Sequence, residues 1–157
     1  MAYADGMTYV ITIDPPNLDI GVIHHLLAET YWSPRIRRDI VANAFQNSIV
    51  AVATTDAEDE IAGFARVVTD QATFAWLCDV YIVETHRGKG LARRLLTALE
   101  EDPRLQTVRR WCLATRDAHG LYSKLGYAPV PATAWMEKKS DPSAWQDSDA
   151  GNERARG

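Results

Sequence analysis

Residues 74–103 read FAWLCDVYIVETHRGKGLARRLLTALEEDP, and the fold turns on this stretch. Its first ten residues are nearly continuous in apolar and aromatic side chains, the pattern of a strand buried on both faces. After the run HRGKG, Leu91, Leu95, Leu96 and Leu99 recur at helical spacing until Pro103 ends the helix. Gly88, Gly90 and Ala92 let the backbone approach a ligand closely, and the free N–H groups of the first helical turn point outward at the positive end of the dipole. The segment reads as an anion cradle; a tight strand-to-helix turn beside solvated arginines is the plainer alternative. Arg87, Lys89, Arg93 and Arg94 crowd the N-terminal end of the helix and Glu100, Glu101 and Asp102 its C-terminal end, both against the dipole preference. A polyanion at the first turn turns the basic part of that penalty into attraction. The Walker pattern GxxxxGK[ST] is absent, and GxGxxG fails because Arg93 stands where its third glycine belongs.

Working outward, residues 7–13 (MTYVITI) read as a strand stopped by Asp14-Pro15-Pro16. A helix capped at Asn17 or Asp19 runs to about Thr30, with Leu18, Val22, Leu26 and Leu27 as its stripe. Ser33-Pro34 reads as the start of a second helix carrying Ile36, Ile40, Val41, Ala44 and Phe45. Strands follow at 48–54 and 61–69 across the polar turn TDAEDE, then the strand and helix already described, a strand at 108–114, a short helix at 118–125 closed by Gly126, and a last strand at 134–138. Strand, helix, strand across 74–114 implies a right-handed parallel crossover, and the whole order is α+β. The domain is expected to span residues 1–139, with 140–157, rich in Asp, Ser, Ala, Gly and Arg, as a flexible tail.

A chain of 157 residues supports one core, and 17 basic against 21 acidic residues leave a net charge of -4, which removes any global attraction to nucleic acid or anionic lipid. With no apolar run long enough to span a membrane and no cationic, apolar leader in MAYADGMTY, a cytoplasmic protein is expected. Cys78 and Cys112 lack CxxC spacing, and the adjacent His24 and His25 point about 100° apart on a helix, so no metal site is expected.

The segment LCDVYIVETHRGKGLARRLL followed by AHGLYSKLGY resembles the GNAT family of N-acetyltransferases. Arg87-x-x-Gly90-x-Ala92 matches the family's Q/R-x-x-G-x-G/A pyrophosphate signature, and Leu121-Tyr122-Ser123-Lys124-Leu125-Gly126-Tyr127 resembles its second hallmark. The resemblance is strongest over residues 61–130. It implies a mixed, mostly antiparallel sheet of roughly six to seven strands with a central splayed parallel pair, flanked by about four helices.

It also implies acetyl-CoA as co-substrate. Pantetheine then pairs like an added strand with the backbone of Val80, Tyr81 and Ile82, and the pyrophosphate sits on Gly88, Lys89, Gly90, Leu91 and Ala92 beside Arg87. Arg93 or Arg94 reaches the adenosine phosphate, unless both are solvated helix arginines. The chemistry implied is attack of a neutral amine on a thioester in a ternary complex. Backbone near Tyr81 and Ile82 supplies oxyanion donors, and Tyr122 donates a proton or a hydrogen bond to the leaving sulfur; a helix tyrosine packed under the sheet is its plainer reading.

Asp79, a carboxylate in an apolar strand, is the candidate for taking the amine's proton or holding the substrate ammonium; accepting structural hydrogen bonds is its third reading. Arg66 and Asp70, with Tyr31 and Trp32 in the turn where the family covers its substrate site, are the acceptor-pocket candidates. Thr115 departs from the family, many members of which carry Asn at that position. The acceptor is a small-molecule or peptide amine, and edge strands of such a sheet allow a homodimer. An acyl-CoA sensor that has lost turnover is the competing function, and nucleic-acid binding through Arg35, Arg37, Arg38, Arg109 and Arg110 is disfavoured by net charge.

Overall fold

The computed structural model describes residues 6–148 and contains two compact units. The larger combines the described residues up to Leu18 with Asn47–Tyr127. It holds one five-stranded sheet in the order β1 (Tyr9–Ile13), β2 (Ile49–Thr55), β3 (Ile61–Thr69), β4 (Phe74–Ile82) and β5 (Arg110–Cys112). Neighbours are antiparallel except β4 and β5, which run parallel through Phe74↔Arg110, Ala75↔Trp111 and Trp76↔Cys112. The helix between them, α3 (Leu91–Glu100), makes the expected crossover.

Small and large residues both contribute to the packing of α3 on the sheet. Ala51, Ala53, Ala65 and Ala75 are fully buried, and the leucine stripe of α3, Leu91, Leu95, Leu96 and Leu99, is at most 2% exposed in the same core cluster. Alanines allow close approach of the helix, and each leucine withdraws apolar surface worth about 2 kcal/mol from water. At its far end the helix stops before Asp102, whose carboxylate accepts from Arg104 N at 2.9 Å and pairs with the Arg104 guanidinium at 2.8 Å. The same guanidinium reaches Asp14 at 2.8 Å and so ties the end of the α3 connection to the residue that follows β1. α4 (His119–Ser123) is a single short helix, followed by Gly126 with φ of +89°.

The second unit combines Asp19–Gln46 with the described residues from Ala128 onward. In it α1 (Ile20–Ala28) and α2 (Arg38–Gln46) bury Ile23, Leu27, Val41 and Phe45. Asp19 caps α1, accepting from Val22 N at 3.1 Å, but Val22, expected in the stripe, is exposed and Ile23 takes the core position. The second helix starts at Arg38 and not at Ser33-Pro34. Ser33 turns back instead, its hydroxyl donating to Leu27 O at 3.1 Å, and Arg35 with φ of +55° interrupts any helix begun there.

The sheet has five strands among the described residues where six to seven were expected. Residues 134–138 form none: a 3-10 turn occupies Ala132–Ala134, and Trp135 and Met136 are 43% and 94% exposed. A strand there has no face to bury, between Pro129 and Pro131 on one side and Glu137-Lys138-Lys139 on the other. β5 is shorter than 108–114 because Val108 N donates to Leu105 O in a turn, and no strand pairing continues past Cys112. Part of the expected tail is held in place. Arg37 N donates to Trp145 O at 3.0 Å, Asp147 N to Arg35 O at 2.8 Å, and Ile36 bridges Gln146. Residues 149–157 of that tail lie outside the described residues.

Gly63 on β3 faces Ile82, and a Cβ there would lie 2.6 Å from Ile82 Cδ1 and 2.8 Å from the carbonyl oxygen of Tyr81. The backbone atom cannot swing aside as a side chain can. Gly63→Ala is therefore expected to lower stability by about 1–3 kcal/mol in urea titration, with an unchanged slope.

Candidate active site

Past Trp76, β4 has no partner strand on the β5 side among the described residues, and its outer backbone edge is left to other groups. The strand is also irregular along its β3 edge. Phe64 pairs with Tyr81 but Arg66 with Cys78, so Asp79 and Val80 stand opposite Ala65 alone. This is a β-bulge, and Asp79 carries it with φ of +51°. Aspartate is among the few L-residues that tolerate the left-handed region, and a partner fixes it there. Arg66 Nε donates to Asp79 Oδ2 at 2.7 Å, and Arg66 Nη1 donates to Ser48 Oγ at 3.0 Å. The two charged side chains are only 16% and 11% exposed. The sequence places Arg66 and Asp79 in separate roles; the structure makes them one ion pair.

Cys78, next to the bulge, is half-buried. Desolvation pushes its thiol up to about 12, against the smaller opposing influence of Arg66, so at neutral pH it is protonated and no nucleophile.

The strand hands over directly to the glycine turn. Val83 N makes the last link to β3, donating to Ala62 O at 2.9 Å, and Glu84–His86 form a 3-10 turn. Arg87 folds back, its Nε donating to Ile82 O at 3.1 Å. Gly88 and Gly90 follow with φ of +74° and +70°, and Gly90 is the residue that caps α3. A Cβ at either glycine would meet nothing within 4 Å, so backbone sign rather than crowding demands glycine. The turn opens onto space, with the N–H groups of the first turn of α3 lacking intrahelical partners. A phosphate fits such a cradle.

Its side chains divide into two groups. Arg87 and Arg93 are exposed, whereas Leu91 is buried in the core and offers a ligand only its backbone. Arg94 Nη2 donates to Tyr9 O at 2.9 Å, and Lys89 Nζ lies 5.7 Å from the centroid of the Tyr9 ring. Of the two arginines considered for the adenosine phosphate, Arg93 is the exposed one.

Tyr122, on α4, is buried to 9% exposure and belongs to the same core cluster as α3. Its ring meets Tyr127 edge to face at 5.8 Å, and the Tyr127 hydroxyl donates to Glu100 Oε1 at 3.3 Å. Burial and the neighbouring carboxylate push the Tyr127 hydroxyl well above the usual tyrosine range, and burial raises Glu100 in turn. Tyr127 thus braces Tyr122 from α3. Sequence reasoning missed this role, although Tyr127 closes the LYSKLGY hallmark. Thr115 acts locally, its hydroxyl accepting from Ala118 N at 3.0 Å to close the loop before α4.

Of the other expected pocket groups, Asp70 is in the same unit as the glycine turn but is not brought to it. Asp70 lies in the β3–β4 turn, at the opposite end of β4 from Gly88, roughly 25 Å of strand away. Its carboxylate accepts from the Thr73 hydroxyl at 2.7 Å and from Thr73 N, Ala72 N and Phe74 N, and is a turn-former rather than a pocket group. Tyr31 and Trp32, in the second unit, are exposed and packed edge to face at 4.9 Å. Among the described residues no group of three or more His, Cys, Asp and Glu is set to hold a metal ion, and no helix is long and apolar enough to cross a membrane.

The site is thus a mixed α+β sheet whose parallel pairing stops at Trp76, with a glycine turn at the far end of β4 and a helix seated on that turn. Residues 46–129 match the family model described as the acetyltransferase (GNAT) domain. A Gibberella zeae protein named as a candidate acetyltransferase is 30% identical over 137 residues, which cover 74% of this chain and 76% of that one. The crystal structure of a candidate GNAT acetyltransferase from Xanthomonas campestris pv. campestris superposes with a TM-score of 0.78 at 38% identity, over 85% of this chain and 94% of that one. Glucosamine-6-phosphate N-acetyltransferase from Arabidopsis thaliana shares the fold at 18% identity and a TM-score of 0.64, over 85% and 99% of the two chains. The chain belongs to the GNAT family of acetyltransferases.

Two substitutions separate the roles of the acidic residues. Asp79→Asn keeps the shape and the tolerance of positive φ but removes the negative charge that faces Arg66, and is expected to lower stability by about 2 kcal/mol in denaturant titration. Asp70 is held well below the usual carboxylate range, chiefly by Thr73. Because its folded value is depressed, its contribution to stability is complete above the ordinary value of about 4 and is lost as pH falls through the folded value. Asp70→Asn is expected to shrink the drop in thermal midpoint between about pH 6 and about pH 2, with no change in acceptor kinetics.

Proposed function

We propose that this protein moves an acetyl group from acetyl-CoA to a primary amine of a small molecule or peptide by direct attack in a ternary complex. The observation that carries the reading is the continuity of β4: an edge without a strand partner past Trp76 runs straight into an open glycine turn at the start of α3. The edge suits an extended pantetheine chain at Val80, Tyr81 and Ile82, and the turn suits a pyrophosphate on the N–H groups of residues 88–92. Arg87 and Arg93 add positive charge from the exposed side.

The co-substrate supplies an activated thioester. The amine enters as its free base and forms a C–N bond to the carbonyl carbon while backbone N–H groups near Tyr81 and Ile82 hold the developing oxyanion. The C–S bond then breaks, Tyr122 gives its hydroxyl proton to the leaving sulfur, and the proton shed by the nitrogen passes to solvent, from which the Tyr122 phenolate is reprotonated. Asp79 positions: its charge is matched by Arg66, and its bulge re-aims the backbone on which the thioester rests. A covalent relay through Cys78 is disfavoured by its protonated state.

Release of free thiol from acetyl-CoA is the assay, run over polyamines, amino acids, aminoglycosides and peptides. Tyr122→Phe keeps the buried ring and removes the proton donor; it is expected to lower kcat about 100-fold with acetyl-CoA affinity unchanged within about 2-fold. Unchanged turnover in that variant contradicts the role of Tyr122, and no thiol release with any amine contradicts the reaction.

A further inference from the structure

The glycine turn is held from outside itself. Neither Gly88 nor Gly90 has neighbours against which a side chain would pack, and both carry the conformational freedom that glycine brings. Three side chains flank these glycines, and all three converge on one residue of β1. His86, 5% exposed, places Nδ1 2.9 Å from the Tyr9 hydroxyl, with the two rings edge to face at 5.6 Å. Lys89, between the glycines, lies over the Tyr9 ring, and Arg94, one turn into α3, donates to the Tyr9 carbonyl. Tyr9 is itself only 6% exposed and is anchored in the β1–β2 ladder opposite Thr55. Its hydroxyl also reaches Met7 Sδ at 3.0 Å.

We infer that Tyr9 is a positioning residue for the co-substrate, a clamp from the far edge of the sheet that orders the phosphate turn before the ligand arrives. The inference rests on the acetyl-CoA reading above and extends it to a residue 77 positions away in sequence from the histidine it holds. Arg94 and Lys89 acquire a structural role from it. Their charge stays beside the turn, but their geometry is set by Tyr9. Ordering the turn in advance removes an entropic cost that the ligand would otherwise meet on binding.

Tyr9→Phe removes the hydroxyl alone and keeps the ring under Lys89 and the carbonyl bonded to Arg94. Hydrogen exchange of the ligand-free protein is expected to show the amides of Arg87 and Arg94, which are hydrogen-bonded at the two ends of the turn, exchanging about 5-fold faster, while those of 49–55 do not change. The same variant is expected to raise KM for acetyl-CoA about 5-fold, with kcat and the amine KM within about 2-fold of the parent, a split that general destabilisation does not produce. His86→Phe removes the same bond from the other side, and the double variant is expected to be no worse than either single one. Unchanged exchange at Arg87 and Arg94 in both single variants, or unchanged acetyl-CoA KM in both, overturns the inference. Parent protein that binds no acetyl-CoA contradicts the acetyltransferase reading instead, and exchange without ligand still decides whether Tyr9 orders the turn.

Discussion

Among the described residues strand β4 is paired on both sides for three residues, and the candidate site follows from where that pairing stops. Phe74, Ala75 and Trp76 bind β5 in parallel; beyond them the strand continues to Ile82 with β3 alone. Backbone groups at such an edge require partners, and an extended ligand of matching reach supplies them. The crossover helix that makes the parallel pairing necessary also brings its own N-terminus to the end of that edge. One topological choice therefore places an open strand and a turn suited to an anion in series.

The bulge at Asp79 is the local device that fits the edge to chemistry. A bulged residue in the left-handed region is costly for most side chains, and a largely buried ion pair is seldom a net source of stability. Both are retained together here because Arg66 and Asp79 specify one register: a slip of β4 against β3 would separate them and turn every following side chain to the opposite face. The pair is then a device of specificity, and in the proposed reaction the chemistry falls to the backbone it aims and to Tyr122.

Much of this was legible in the sequence because the signals are local. The GKG turn, the leucine stripe of α3, the proline and glycine stops and the order of strands all follow from spacing within a dozen residues. The losses are of another kind. Ser33-Pro34 looks like a helix start, yet Ser33 closes the preceding helix. Residues 134–138 read as a last strand, but Trp135 and Met136 are left exposed. Asp70 looks like a pocket acid and is consumed by its own turn. The pairing of Arg66 with Asp79 depends on a one-residue shift that no periodicity announces, and the hold of Tyr9 on His86, Lys89 and Arg94 joins the two ends of the larger unit. Such contacts are set by register and topology, which sequence spacing does not encode.

The central claim is that the edge of β4 and the Gly88–Gly90 turn together receive acetyl-CoA. Calorimetric titration of the full chain tests it most directly, with desulfo-CoA and NADH alongside. The account predicts saturable one-to-one binding of acetyl-CoA and of desulfo-CoA, which shares its pantetheine and pyrophosphate, and no binding of NADH. Absence of acetyl-CoA binding, or equal binding of NADH, would contradict it and leave RGKGLA as an ordinary turn from strand to helix.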